Sequence, residues 1–491
     1  MSLETPNRIR TLQRKLYRKA KDEPAYRFYL LYDKIYREDI LYCAYERVKY
    51  NRGGPGVDGQ TFAGIETEGL GKWLAGIREE LRTRVYRAQP VRRAMMPKPG
   101  GGERPLGIPT IRDRVVQAAA KLVLEPIFEA DLEPCAYGYR PKRSAQDAIR
   151  KVHELLCAGY TEVVDADLSK YFDTIPHCEL MQSVARRIVD RDVLRLIKQW
   201  LKVPVEERDE QGKRRFTGGK NSRCGTPQGG VISPLLANLY MNRFLKYWRI
   251  TERGKALRAQ VVNYADDFVI LTRRRAGEAR EWTRGVMARL GLTLNEAKTK
   301  IKEVWQEGFD FLGYTFGPQC YRKKGGRKYL GAWPSKKSVA RLRQKVNAVL
   351  VPSNTRPWPE VRNQLNRLLR GWSGYFCYGT RSQAYRAVDR HVEERVRNFL
   401  RRRHKIRTRG TRVLPAAAIF GALGVRGLQD VHRFPSVRES GDEPCRRAGC
   451  GKSARPVRSA GQGNGATLHS YPRPSSTLLK NKLLIGANRQ C

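Results

Sequence analysis

A mixed α/β fold is what the sequence predicts, and three observations predict it. Residues 161–168 (TEVVDADL) and 261–272 (VVNYADDFVILT) are apolar and β-branched and read as strands. Between them, residues 177–202 and 230–250 carry apolar side chains at helical spacing. Hydrophobic residues make up 40% of the 491-residue chain, enough for sizeable cores and too many for a wholly disordered protein.

Along the chain, residues 7–50 alternate basic with aromatic or apolar positions at helical spacing (Leu12, Leu16, Tyr17, then Tyr26, Phe28, Tyr29, Tyr32). That pattern predicts two helices with a core face and a basic face. The glycine cluster GGPGVDG at 53–59 ends them, because repeated Gly with Pro cannot continue a helix. A second glycine-rich break, PKPGGGERPLGIP at 97–109, precedes a helix predicted at 111–130. Past Trp333 helical periodicity continues while arginine density climbs: residues 386–412 hold eleven Lys and Arg against three acids. Residues 450–476 are rich in Gly, Ser, Pro and Arg without periodicity and predict a flexible tail.

Lys and Arg number 96 against 48 Asp and Glu, a formal net charge of +48. A field of that size draws polyanions, and nucleic acid is the polyanion a cell supplies in bulk. No basic amphipathic helix with a clean apolar face points to a membrane surface instead. The opening MSLETPNRIR lacks the apolar core of a signal peptide, and no stretch approaches the ~18 apolar residues of a span. Ten cysteines, scattered from Cys43 to Cys491 without disulfide-framework spacing, predict reduced thiols and a cytoplasmic protein. Cys445 and Cys450 (CRRAGC) have no second pair with which to bind zinc.

The chemistry lies in the two strands. In VVNYADDFVIL two apolar arms flank Ala265, Asp266 and Asp267, which suits a tight hairpin with acids at its tip. An ordinary Asp-containing turn reads the same way in isolation. In VVDADLSKYFD, Asp165 and Asp167 are two apart and so face one side of a sheet. Two apolar strands that each present carboxylates fit a site for hard divalent cations such as Mg²⁺. Two-metal nucleotidyl transfer needs no protein nucleophile, and no Ser-His-Asp or Cys-His arrangement stands out among the six histidines.

YADD at 264–267 resembles the catalytic hairpin of reverse transcriptases, and the segments around it come in a distinctive order. RPLGIPTIRDRVVQ (104–117), AYGYRPKRSAQDAI (136–149), DLSKYFDTIPH (167–177), GTPQGGVISPLLANLYM (225–241), LNEAKTKI (294–301) and FDFLGYTF (309–316) are similar to the successive polymerase blocks of the bacterial group II intron-encoded reverse transcriptase/maturases. GWSGYFCYG (371–379) resembles the maturase-type thumb, and GGPGVDG the block upstream of the fingers. The resemblance covers roughly residues 50 to 410. It implies a right-hand polymerase of fingers, palm and helical thumb behind an N-terminal helical extension. The boundaries expected are 1–62 for the extension and upstream glycine block, 63–330 for fingers and palm, 331–425 for the thumb and 426–491 for the basic tail. No endonuclease domain is recognisable in that tail.

The resemblance also implies roles. Asp167, Asp266 and Asp267 would be the catalytic metal ligands for two Mg²⁺ ions, with Asp165 in support. Phe172, five residues after Asp167, would lie against the sugar of the incoming dNTP, although an aromatic there also suits the palm core. Gln228 would contact sugar or base, Arg92, Lys98 and Arg104 the triphosphate, and Lys298 the pyrophosphate. The dense RRRHKIRTRGTR stretch, with Arg401, Arg402, Arg403, Lys405 and Arg407, would contact RNA. Trp372, Tyr375 and Phe376, at i, i+3 and i+4, read as a core stripe. Implied partners are a group II intron RNA, an RNA template with a DNA primer, and target DNA, in a cytoplasmic bacterial setting close to the nucleoid. Three rivals stay open: an RNA-binding splicing cofactor with vestigial polymerisation, a domesticated enzyme of phage defence or CRISPR adaptation, and an RNA-templated RNA polymerase. The sequence sets neither the intron's identity nor the oligomeric state.

Overall fold

The computed structural model describes residues 4–97, 102–208, 211, 213–320, 326 and 328–429. Lys98, the CRRAGC segment and the predicted tail beyond residue 429 lie outside the described residues; Leu428, expected in the tail, is buried, and its N–H donates to Asp389 Oδ1 (2.9 Å).

Helices α1 (Asn7–Asp22), α2 (Tyr32–Ile35) and α3 (Glu38–Tyr50) open the chain, followed by α4 (Phe62–Glu68) and α5 (Leu70–Arg82). Hairpin β1 (Val91–Pro97) and β2 (Glu103–Ile108) leads into α6 (Ile111–Glu129), whose buried face is nearly continuous. Ile9, Leu16, Ile35, Ala44 and Val48 share one core with Val115, Ala119 and Val123 of α6, so the N-terminal helices are built onto the fingers. Residues 23–31, read as helical from their aromatic spacing, are not. Pro24 disfavours helix in the residue before it. Tertiary pairing then takes over: Phe28 N–H donates to Arg187 O (2.7 Å) and Val189 N–H to Phe28 O (2.8 Å). Arg187, 3% exposed, donates to the carbonyls of Ala20, Glu23 and Tyr26 and pairs with Asp131.

Next come α7 (Ala145–Cys157), started by a Ser144–Asp147 capping box, then β3 (Glu162–Asp167), the short α8 (Tyr171–Thr174), α9 (His177–Ala185) and α10 (Arg191–Leu201). The helix predicted across 177–202 is thus two. Asp190 separates them: Oδ1 accepts from Asp192 N and Val193 N to cap α10, and Oδ2 accepts from Leu31 N and Tyr32 N. Strands β4 (Pro204–Arg208) and β5 (Arg214–Gly218) complete a four-stranded fingers sheet in the order β2-β1-β4-β5.

The palm continues with α11 (Ser233–Ile250), α12 (Arg253–Ala256), β6 (Ala259–Tyr264), β7 (Asp267–Thr272), α13 (Ala276–Arg289) and β8 (Lys300–Glu303). Its sheet has the order β6-β7-β3-β8, all antiparallel. Both faces are covered by apolar side chains: Val164, Ala166, Phe268 and Ile270 join the main core, and Val163, Val262, Val269 and Leu271 a second one. A further sheet, β9 (Phe309–Phe311), β10 (Tyr314–Cys320) and β11 (Lys328–Pro334), leads into the thumb helices α14 (Lys336–Val349), α15 (Trp358–Tyr375) and α16 (Ser382–Arg403). Leu342, Val346, Val361, Leu365, Val392 and Val396 form the thumb's own core. Phe376 is buried against Tyr314 (ring centroids 5.0 Å apart) and Trp372 touches both cores, so this stripe joins thumb to palm as the core reading expects.

Candidate active site

Antiparallel pairing of β3 with β7 places Asp167 directly opposite Asp267. Tyr264 pairs with Asp267 across the β6–β7 hairpin, leaving Ala265 and Asp266 as its two-residue tip. Ala265 has φ +59°, where a side chain costs roughly 1–2 kcal/mol and Gly or Asn is the usual occupant. The surroundings hold it there. Asn263 Nδ2 donates to Ala265 O (2.8 Å). Gly138 lies against the turn so closely that a Cβ on it would meet Ala265 N at 2.4 Å. Asn238 of α11 donates to Gly138 O (2.6 Å), and the 135–137 segment exchanges backbone bonds with Asn263. Backbone strain of this kind persists only where such contacts over-determine it.

The first strand is held as tightly. Asn295 N–H donates to Asp167 O (2.8 Å), and Lys298 Nζ donates to Asp167 Oδ2 (3.1 Å). Asp267 is open to solvent on one side and crowded by protein on the others. Partial burial pushes its carboxyl up to about 6; the charges of Asp266, Asp167 and Asp165 push the same way, against Lys298. Half-buried Asp165 is likewise pushed up to about 6, by burial first, with Lys302 opposing and Asp167 adding to it. As the side chains stand, no group of three or more His, Cys, Asp or Glu among the described residues is arranged to hold a metal ion. The donor chemistry nonetheless fits one. Carboxylates converging from two strands repel until a cation joins them, and Mg²⁺ takes only a few carboxylates before water and phosphate complete its shell.

The predicted nucleotide residues meet in part. Phe172 is 7% exposed, edge-on to Tyr171, and its carbonyl accepts from Thr226 N (2.7 Å). Gln228 Oε1 accepts from Arg104 Nε (2.9 Å), and Gln228 O from Gly107 N (2.6 Å), so the PQG loop is tied to the fingers hairpin. Gly229 permits that approach: a Cβ would meet Gly107 O at 2.3 Å. Arg92 instead donates to Pro55 O from Nε and a terminal nitrogen (3.2 and 2.9 Å), bracing the GGPGVDG block. An apolar groove lined by Met181, Leu194 and Leu201 among others includes none of the carboxylates.

Comparison with known proteins accords with this geometry. The family model described as reverse transcriptase (RNA-dependent DNA polymerase) matches residues 96–316, and that of the group II intron maturase-specific domain matches residues 339–414. Protein YkfC of Escherichia coli is 36% identical over 343 residues, 62% of this chain and 87% of that protein. The chain belongs to the group II intron-encoded reverse transcriptase/maturases. Group II intron-encoded protein LtrA of Lactococcus lactis is 34% identical over 223 residues, which cover 45% of this chain and only 35% of LtrA. A putative COX1/OXI3 intron 1 protein of Saccharomyces cerevisiae is 28% identical over 328 residues, 56% of the chain and 38% of that protein.

In this reverse transcriptase the maturase-specific match falls on α14 to α16 and the segment after them. Of the thumb residues expected at RNA, Arg401 and Arg402 lie in the last turn of α16, and Lys405 and Arg407 follow it. Arg403 is committed to the fold, donating to the carbonyls of Arg356 (2.7 Å) and Thr355 (3.0 Å). Reading the sequence overlooked Gly138, Asn238, Asn263 and Asn295, whose partners are brought in by tertiary folding. It also overlooked Tyr139, with φ +54° and its ring 6.5 Å from that of Tyr264. The only linear signal for them was membership of the polymerase blocks.

Proposed function

We propose that this reverse transcriptase/maturase binds a group II intron RNA, assists its splicing and copies it into DNA from a DNA primer for retrohoming. The observation that carries the catalytic half is the strand register, with Asp167 opposite Asp267 and Asp266 at the adjoining tip. Reverse transcriptases as a family use divalent metal ions; here Asp167, Asp266 and Asp267 would hold two Mg²⁺. An ion held there would supply acidification of a primer 3′-hydroxyl and neutralisation of charge on departing pyrophosphate. The protein's own residues bind and orient. Phe172 and Gln228 flank the sugar of the incoming dNTP, and Arg104 reaches its phosphates once released from Gln228. Arg92 lies on the same hairpin, and it and Lys98 would add charge toward the triphosphate. Lys298, which donates to Asp167, would pass to the pyrophosphate.

Folded intron RNA would be bound largely through its backbone, by the thumb residues Arg401, Arg402, Lys405 and Arg407 among others. The test is extension of a DNA primer on an RNA template with Mg²⁺, comparing dNTPs with NTPs. Synthesis from dNTPs alone, lost in Asp266→Ala while RNA binding persists, is the expected result. RNA binding without synthesis by the parent would favour a splicing cofactor instead.

A further inference from the structure

From β3 to the first residue of α9 the chain runs through FDTIPH (172–177), which lies antiparallel to RCGTPQ (223–228), the segment that leads into α11. Three backbone bonds join the two: Thr226 N to Phe172 O (2.7 Å), Gly225 N to Ile175 O (2.8 Å) and His177 N to Arg223 O (2.9 Å). One end of this ladder is Phe172 with Thr226, two residues before Gln228, and the other is His177 with Arg223. Its weak point is Gly225. With φ +94°, and with Asp173 O 3.1 Å from where a Cβ would sit, that residue can be neither stiffened nor filled by a side chain.

One side chain takes up the task. His177 Nε2 lies 2.6 Å from Gly225 O. A carbonyl only accepts, so Nε2 carries the proton. The ring is 7% exposed, and its Nδ1 has no hydrogen-bond partner among the described residues. Burying an unpartnered nitrogen is costly, and a phenyl ring would fill the space without that cost. The imidazole is therefore not accounted for by filling space; the bond to Gly225 is what a phenyl ring could not supply.

We infer that His177 is a positioning residue for the incoming nucleotide: its Nε2–H holds the Gly225 carbonyl and thereby sets the separation of Phe172 from Gln228. The inference rests on the nucleotide pocket proposed above and goes beyond it. In this reading His177 acts through the Gly225 carbonyl and not on the nucleotide itself. It pins the loop whose far end carries Gln228, which is tied in turn to Arg104 (2.9 Å) and weakly to Asp173 (3.5 Å). Sugar discrimination then depends on a residue outside the pocket.

The test is steady-state incorporation of one dNTP, and of the matching NTP, on an RNA template with a DNA primer. It compares the parent with His177→Phe, His177→Gln and His177→Asn. Because the three backbone bonds remain, His177→Phe keeps its fold, checked by urea denaturation. Its KM for dNTP rises about tenfold, the worth of one buried hydrogen bond, while kcat stays within about twofold. Its preference for dNTP over NTP falls in parallel. A Gln amide nitrogen reaches the Nε2 position and restores both values. An Asn amide reaches only the Nδ1 position and does not. A His177→Phe enzyme with parental KM and discrimination, or a loss in kcat alone, overturns the inference and leaves the polymerase reading standing. A parent that incorporates no dNTP overturns both. Should His177→Phe unfold, the Gln–Asn contrast decides, equal values overturning the inference.

Discussion

Asp267 shows how a single group's environment sets its chemistry. Its folded pKa, pushed up to about 6, stands above the roughly 3.9 of an unfolded Asp. The folded state therefore holds the proton more tightly, and this group's contribution to stability falls as pH rises from about 4 to about 6, with the full penalty present above that window. Asp267→Asn removes the penalty. At pH 7.5 the metal-free variant should be as stable as the parent or more stable by up to about 1 kcal/mol, since solvent on the open side screens the repulsion. It should make no DNA. A lower urea midpoint for the variant would mean that the carboxylate is a structural group. Gly138→Ala tests the turn's backing: the new Cβ would meet Ala265 N, so the tip must move. Primer extension should fall at least about tenfold while RNA affinity, read by filter binding, stays within about twofold, because the displaced tip carries a carboxylate and not the cationic side chains that draw phosphates. The acidic hairpin and the Asp165–Asp167 pair could be found in the sequence because two-residue hairpins and period-two strands are local rules, while the family resemblance singled out Asp167. Gly138 could not, because its constraint comes from a residue 127 positions away.

At the level of elements, the loop from α6 to α7 carries Gly138 to the hairpin, and Arg140 holds that loop. Its guanidinium, 5% exposed, pairs with Glu129 (2.6 Å) and donates to the carbonyls of Glu133 (2.7 Å) and Ala136 (2.8 Å). Arg140→Ala leaves Glu129 and two carbonyls without their donor and should cost about 3–5 kcal/mol in urea denaturation. Arg140→Lys should not restore it, since an ammonium cannot serve a carboxylate and two carbonyls with planar geometry. The palm strands and α6 were legible from β-branched runs and helical spacing. The fingers hairpin, β4, β5 and the β9–β11 sheet were not, as they carry exposed charged or glycine-rich positions that blur the period. Residues 23–31 were misread because aromatic spacing suggested a helix where pairing with Arg187 and Val189 determines the backbone.

For the whole molecule the governing quantity is charge. With a net +48, affinity for a structured RNA should weaken at least about hundredfold between 50 and 200 mM salt, as condensed counterions are released less favourably. Replacing Arg401 and Arg402 by Ala should make that salt dependence shallower and leave incorporation on a short primer–template unchanged. Arg403→Ala should instead lower the thumb's urea midpoint, because its guanidinium holds the 355–356 carbonyls. No helix among the described residues is long and apolar enough to cross a membrane. The sequence by itself determined the α/β class, the polyanion partner, the acidic hairpin and the order of polymerase blocks. The first three are sums over composition or patterns within about ten residues, where backbone geometry dictates which side chains share a face, and the block order came from the family resemblance. Only the tertiary structure decided that Asp167 meets Asp267, that Arg92 and Arg403 hold carbonyls, and that His177 secures the loop bearing Gln228. These depend on strand register and on contacts between distant segments, and a chain specifies such contacts only through the free energy of its assembled core.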